Sequence, residues 1–130
     1  MGVKTYWLDS EKKILYSELI QPWTWEEYQA NIPIMQQEAE SVDHAIVVIW
    51  DFRQVDPIPM NAVSHFRMAA NNRTSNVKRL IFAGGGVFAR TLVELTQKTA
   101  RQAAKTAMPP AFVDSREEAI VMAQQLVNLS

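Results

Sequence analysis

The hydrophobic positions of this chain fall into short apolar runs and helical stripes that alternate, which predicts an α/β fold. Two early runs, residues 3–8 and 14–20, are rich in β-branched and aromatic residues and flank the polar stretch 9–13. They predict a β-hairpin with a five-residue loop. Residues 45–50 are apolar throughout, as in a central strand that is covered on both faces.

The first helix is predicted to begin after Thr24, because Thr24 and Glu27 have the spacing of a capping box. Pro33 lies within the helical pattern and should bend the helix rather than divide it, since proline cannot donate its backbone hydrogen bond. The predicted inward-facing stripe recurs at spacings of three and four residues. It consists of Trp25, Tyr28, Ile32, Met35 and Ala39.

The remaining pattern predicts two strands and three helices. The strands are residues 77–83 and 111–113, and the helices cover about 60–71, about 88–105, and the segment after Ser115, where Glu118 completes a second capping box. The predicted order is β-β-α-β-α-β-α-β-α in one domain, residues 1–130. Right-handed crossovers would make the sheet mostly parallel, with the first strand of the hairpin antiparallel at an edge.

Composition narrows the class of protein. The 130 residues are 48% hydrophobic and 21% charged, as in a folded globular chain. No apolar run approaches the ~18–20 residues of a membrane-spanning helix, and the first residues lack the core of a signal peptide. Cysteine is absent, which excludes disulfides and thiolate ligands. We expect a cytoplasmic protein with no membrane contact, no metal and no cofactor.

Charge is unevenly distributed although the net charge is only −1. From Arg53 to Lys105 there are nine basic and two acidic residues, a charge of +7, and the other four bases and twelve acids give −8. This asymmetry suits an acidic partner or contact between two copies, and it also suits basic residues scattered over solvated helix faces. Nucleic-acid binding is not expected, because the bases are not interleaved with exposed aromatic residues.

Asp51 ends the central apolar run, at the edge of the sheet where α/β proteins usually bind ligands. A phosphorelay site would need further acids after the first strand and a late lysine, and this pattern is missing. The alternative is a carboxylate bonded to backbone amides or to an arginine such as Arg53. The glycines at 84–86 do not form a nucleotide-binding motif and favour a tight turn. Gly85, Gly86 and Arg90 are weak candidates for anion binding.

The two histidines, His44 and His65, have no metal-ligand spacing. Ser64 and His65 are adjacent and cannot face each other on a helix, so they do not form a nucleophile–base pair. Together with Asp51 they are nevertheless the only polar set that an enzyme hypothesis has at this edge. The four tryptophans are predicted to pack in the core and on the hairpin rather than to line a ligand site.

The order of elements, the strand ending in an acid (Ile46 to Asp51), the loop that enters a helix and the glycine-containing strand end (Ala83 to Gly86) resemble the STAS superfamily. The resemblance is closest to its bacterial SpoIIAA-like members. It implies a regulatory, protein-binding domain, in which some relatives carry a phosphorylatable serine at this helix start. Here the matching positions are Pro59, Met60, Asn61 and Ala62, so the phosphorylation switch is not implied.

These observations predict a non-catalytic interaction module that docks through the loop and helix of residues 52–68. The candidate contacts for a protein partner, or for a second copy, are Arg53, Met60, Asn61, Ser64 and Arg67. A module of the same fold that binds a small apolar ligand or lipid is the alternative, because the chain is rich in aromatic residues and methionine.

Overall fold

The computed structural model describes residues 2–54, 76–84, 91 and 110–128, and these form a five-stranded mixed sheet with a helix on each face. The strands lie in the sheet in chain order. They are β1 (Val3–Trp7), β2 (Ile14–Leu19), β3 (Ile46–Asp51), β4 (Val77–Ala83) and β5 (Ala111–Val113), and the helices are α1 (Trp25–Glu40) and α2 (Arg116–Asn128). β1 is antiparallel to β2, and every other neighbouring pair is parallel. The predicted α/β class and the antiparallel edge strand are therefore confirmed.

The β1–β2 hairpin is closed by one aspartate. The carboxylate of Asp9 accepts hydrogen bonds from the amides of Lys13 and Ile14 at 3.0 Å. Lys12 takes the left-handed conformation, with φ of 56°. Because the side chain of Asp9 replaces the backbone partners that a tight turn would supply, the polar loop holds its shape without packing.

Both faces of the central strands are buried, which explains why β2 shows no clear alternation in the sequence. Leu15 and Leu19 pack on the α1 face, whereas Ile14 and Tyr16 pack on the α2 face. β3 is buried at every position. A strand in the middle of a sheet that is covered on both sides needs apolar residues at all positions, as the apolar run predicted.

Helix α1 begins at the predicted capping box, in which Thr24 and Glu27 bond each other's backbone amides. It continues without interruption through Pro33. Of the predicted stripe, Tyr28, Ile32 and Ala39 are buried, and Trp25 and Met35 are partly buried against the same core. Asn31, which the stripe did not include, is buried as well. The amide of Asn31 donates to Ser17 at 3.1 Å, and its carbonyl oxygen accepts from Thr5 at 2.7 Å.

On the α1 face, aromatic rings form a continuous row from α1 across the sheet, with neighbouring ring centres 4.9–6.0 Å apart. The row is Trp23, Trp25, Tyr28, Trp50, Phe52, Phe82 and Phe112. Tyr28, Trp50, Phe52 and Phe82 are buried. The burial of Trp50 and the partial burial of Trp7, Trp23 and Trp25 against the same core agree with the predicted packing role.

Helix α2 covers the opposite face with Ala119 and Ala123, whose small side chains let it lie close to the sheet. At its start, the amide of Glu118 donates to the hydroxyl of Ser115, and that hydroxyl contacts the Glu118 carboxylate at 3.2 Å. At its end, the ammonium of Lys78 on β4 donates to the carbonyl of Leu126 at 3.1 Å. A cation from the sheet thus stabilises a helix end that has no basic residue in its own last turn.

Within the described residues, no helix is long and apolar enough to cross a membrane.

Candidate functional site

The polar cluster at the carboxyl ends of β2 and β3 is the most elaborate arrangement of charged groups in the described residues. β2 and β3 are parallel with Glu18 opposite Asp51, so side chains near the ends of both strands meet at one edge of the sheet. Asp51 follows Val47 and Ile49 on the α2 face. Tyr16 lies on the same face and reaches Asp51 diagonally across the strand pair.

Asp51 is only 1% exposed, and both of its carboxylate oxygens are bonded. Oδ1 accepts from the backbone amide of Arg53 at 3.1 Å and from its Nε at 2.9 Å. Oδ2 accepts from Nη2 of Arg53 at 2.8 Å and from the hydroxyl of Tyr16 at 2.5 Å. The two-pronged contact with a guanidinium is the strongest arrangement that a carboxylate makes with a side chain. The predicted bond between Asp51 and Arg53 is confirmed.

These contacts set the protonation state of the cluster. Burial acts to raise the pKa of Asp51, but the hydrogen bonds from Arg53 and Tyr16 outweigh it and hold that pKa below its ordinary value. Burial, together with the bond to the Asp51 carboxylate, raises the pKa of Tyr16. The bond to Asp51 raises the pKa of Arg53. Asp51 is thus an ionised acid and Tyr16 a neutral donor.

Three further residues surround this core of the cluster. Glu18 lies 3.8 Å from Nη2 of Arg53 and adds a second, weaker ion pair. Tyr6 stacks on Tyr16 with ring centres 5.4 Å apart. The guanidinium of Arg116, in the first turn of α2, lies over the ring of Tyr16 at 5.1 Å. The cluster therefore joins β1, β2, β3 and α2, and it fixes the α2 start against the sheet.

Gly84 determines where Arg53 can lie. Its φ is +81°, and a Cβ built on it would lie 2.7 Å from Cα and 2.9 Å from N of Arg53. These atoms are backbone and cannot rotate away. The glycine at the end of β4 is therefore required by close approach of the Arg53 backbone as well as by its own conformation.

The segment that leaves β3 is also held by hydrogen bonds, to the end of β4 on one side and to Gln21, after β2, on the other. The amide of Phe52 donates to the carbonyl of Ala83 at 2.7 Å. Gln54 is held by Gln21, whose amide donates to Oε1 at 2.9 Å and whose side chain donates to the Gln54 carbonyl at 2.6 Å. Residues 52–54 are thus held by neighbours on both sides. The guanidinium side chain of Arg53 nevertheless remains 39% exposed.

Among the predicted site residues, Arg53 alone lies in the part of the chain that the structure describes. The other predicted partner contacts and anion-binding candidates lie outside the described residues. They are Met60, Asn61, Ser64, Arg67, Gly85, Gly86 and Arg90.

His65 also lies outside the described residues, so its place relative to Asp51 stays a prediction. His44 contacts the carbonyl of Lys12 through Nε2 at 2.8 Å, at the hairpin loop.

Sequence reasoning missed the contributions of Tyr16, Glu18 and Arg116 to the cluster. Tyr16 and Glu18 precede Asp51 by more than thirty residues, and Arg116 follows it by more than sixty. The one usable signal is the tyrosine and glutamate placed two apart on a strand, which puts both on one face. That signal does not show whether Asp51, on the neighbouring strand, lies on the same face of the sheet as Tyr16 and Glu18.

A groove of about 400 Å³ lies at the other end of the sheet, between the hairpin loop and α2. Apolar residues of both elements line it together with charged residues of the loop. The residues are Leu8, Asp9, Glu11, Lys13, Ile14, Ile120, Gln124, Val127 and Asn128. Its position separates it from the Asp51 cluster.

Comparisons of the chain with protein-family models, with curated proteins and with solved structures found no match. The architecture and the geometry of the Asp51 cluster are therefore the basis on which function is inferred.

Proposed function

We propose that this chain is a non-catalytic interaction module, and that Asp51 braces its docking surface. The observation that carries the proposal is that both oxygens of Asp51 are bonded within the protein. A catalytic acid or base needs an oxygen within reach of its substrate and a pKa close to the working pH. Asp51 instead is buried, and its bonds to Arg53 and Tyr16 hold its pKa low. These are the properties of a structural brace.

The docking surface that we propose is residues 52–68, the loop and predicted helix that follow β3, and its partner is an acidic protein surface. The start of this loop is held by Ala83, Gly84 and Gln21, so Arg53 is presented in a fixed orientation. Such preorganisation lowers the conformational entropy that binding costs. Arg53 also begins the segment that carries nine basic and two acidic residues, which favours encounter with an acidic partner.

The proposal extends to a SpoIIAA-like version of the α/β architecture that works in the cytoplasm. The proposal is supported by the central strand that ends in Asp51, by the next strand, which Gly84 follows, and by the N-terminal hairpin. The predicted helix start has no serine at the position where some SpoIIAA-like domains are phosphorylated. Partner binding would then be regulated by some means other than phosphorylation at that position.

Alanine at Arg53 or Arg67 tests this surface. Partners are first captured on the immobilised wild-type chain and identified, and their affinity for purified variants is then measured. We expect each variant to bind at least about tenfold more weakly, a loss of about 1.4 kcal/mol. Because Arg53 also braces Asp51, thermal unfolding of that variant is measured in parallel. Arg67→Ala gives an independent result.

Lys13→Ala is the matched control, because Lys13 is a partly exposed base beside the groove at the other end of the sheet. Its affinity for the same partner should stay within about twofold, since a charge remote from the contact is worth little at ordinary ionic strength. Equal affinity for all three variants would refute docking through residues 52–68.

The alternative, an apolar ligand or lipid, has one feature in its favour. The groove between the hairpin loop and α2 has a volume typical of small-molecule sites. Its wall, however, includes Asp9, Glu11 and Lys13, which suit a polar ligand better than an apolar one. The described aromatic row is packed into the core rather than along this groove. The interaction module is therefore the better-supported proposal.

A further inference from the structure

Helix α1 is tied along one flank to the edge strand β1 by three hydrogen bonds. In order along both elements, the pairs are Gly2 with Glu27 (2.7 Å), Thr5 with Asn31 (2.7 Å) and Trp7 with Glu38 (3.0 Å). From Glu27 to Glu38 the helix advances roughly 16 Å, and from Gly2 to Trp7 the strand advances by a similar distance. The helix flank and the strand therefore run side by side and in step.

Among the described residues, nothing pairs with the outer edge of β1. β1 pairs only with β2 in the described sheet. Leu8 donates its amide to Ile14, and Gly2 accepts from Ile20. Because alternate residues of an antiparallel strand bond the same neighbouring strand, the backbone amides and carbonyls of the even-numbered residues point toward β2. The amides and carbonyls of the odd-numbered residues, Val3, Thr5 and Trp7, point away from the sheet.

Ile34 lies on the same flank of α1 as this open edge. It is three residues after Asn31 and four before Glu38, so the three side chains share one side of the helix. It lies about 10 Å along the helix from Glu27, which is the distance from Gly2 to Thr5 along the strand. Ile34 is 50% exposed and, with Val121, is one of two large exposed hydrophobic residues in the described chain. An exposed isoleucine thus stands level with the midpoint of an open strand edge.

We propose that two copies of the chain pair through β1, antiparallel about a twofold axis at Thr5. The outward amides and carbonyls of Val3, Thr5 and Trp7 then bond those of the partner. Both α1 helices lie on the same face of the joined sheet, and Ile34 of one copy packs against the partner's Ile34. Residues 52–54, the described part of the proposed docking surface, follow β3 and are separate from the β1 edge, so the pairing goes beyond the proposed docking function.

The side chains of β1 favour this register. With the axis at Thr5, each Lys4 lies opposite the partner's Tyr6, where an ammonium can contact an aromatic ring. An axis at Lys4 would place two ammonium groups opposite each other and would use fewer residues. An exposed lysine also discourages open-ended addition of strands. The pairing about a twofold axis is closed, because each copy uses its one β1 edge.

Sedimentation of the full chain over a concentration series tests the proposal. We expect a monomer–dimer equilibrium in the wild type. Ile34→Asp should weaken it at least about tenfold, because two carboxylates would meet at the axis. Val121→Asp is the matched control, since Val121 is 53% exposed on α2, over the other face of the sheet, and should not change the equilibrium. A monomer at every concentration, or a dimer that Ile34→Asp does not weaken selectively, would overturn the proposal.

Amide hydrogen exchange gives a second, site-specific measurement. In the wild-type dimer the amides of Val3, Thr5 and Trp7 should exchange slowly, and Ile34→Asp should make them fast. The amides of Lys4 and Tyr6 are bonded to β2 and serve as internal references that stay slow in both proteins. Fast exchange at all three outward amides in a dimer would show that the copies pair through another surface.

Discussion

Replacing Asp51 by asparagine is expected to lower the free energy of unfolding by about 2–4 kcal/mol, in chemical denaturation at neutral pH. The variant removes the negative charge that pairs with the guanidinium of Arg53. It also places an amide group where Arg53 and Tyr16 both donate. Breaking a fully buried ion pair costs about 3–5 kcal/mol. The loss expected here is smaller, because Arg53 remains partly exposed and water can solvate its charge.

Asp43→Asn is the matched control for this variant, because Asp43 is exposed. It should change the free energy of unfolding by less than about 0.5 kcal/mol. A similar small change in Asp51→Asn would mean that the bonds around Asp51 add nothing to stability. The role of Asp51 as a brace would then be wrong.

Replacing Gly84 by alanine is expected to destabilise the protein by about 3–4 kcal/mol. Two costs combine at this position. The residue has φ of +81°, and the new Cβ would lie 2.7 Å from Cα of Arg53. Either the end of β4 or the backbone at Arg53 must move, and that movement disturbs the geometry around Asp51. The variant should therefore lose stability in denaturant and also weaken partner binding.

Gly84→Asn separates the two costs. Asparagine tolerates a positive φ better than alanine does, but it carries the same Cβ. If contact with Arg53 dominates, both variants should be destabilised by similar amounts. Recovery of most of the stability in Gly84→Asn would assign the effect to backbone conformation alone, and the close approach to Arg53 would then have no energetic weight.

Local signals in the sequence predicted the five strands and the two helices that the structure describes. The helices predicted at about 60–71 and about 88–105 lie outside the described residues and stay predictions. The apolar run at residues 46–50 predicts a central strand because full burial on both faces leaves no polar positions. The two partners of the Thr24–Glu27 capping box lie within four consecutive residues, and those of the Asp51–Arg53 bond lie within three. Each of these features depends on residues that are close in the sequence, so a sequence pattern is enough to predict it.

Contacts across elements were not predictable in the same way. Asn31 is buried because Thr5 and Ser17 on the hairpin supply its partners, and its own helix gives no sign of them. Tyr16 meets Asp51 only when the β2–β3 register is known. The glycine run predicts a tight turn, but the reason for Gly84 is the position of Arg53 on a neighbouring strand end. Sequence reasoning thus located the acid at the edge of the sheet and its bond to Arg53, and missed the partners that lie on other elements.

The two proposed surfaces lie on different parts of the sheet. The Asp51 cluster is at the carboxyl ends of the parallel strands, whereas the open edge belongs to β1. Tyr6 links them, because it stacks on Tyr16 and lies on the face where it would meet the partner's Lys4. Neither Ile34→Asp nor Arg67→Ala changes Tyr6, so the first variant tests self-association and the second tests partner docking separately.

Whether Asp51 acts as a brace is decided by its pKa, which NMR of its carboxyl carbon measures during an acid titration. A brace that is bonded by Arg53 and Tyr16 should titrate below the ordinary value of 3.8, so it stabilises the fold above that pH. The stability difference between wild type and Asp51→Asn should then shrink as the pH falls through the folded-state pKa. A pKa above 3.8, as in a catalytic acid, or a stability difference that does not depend on pH, would contradict the assignment of Asp51 as a brace.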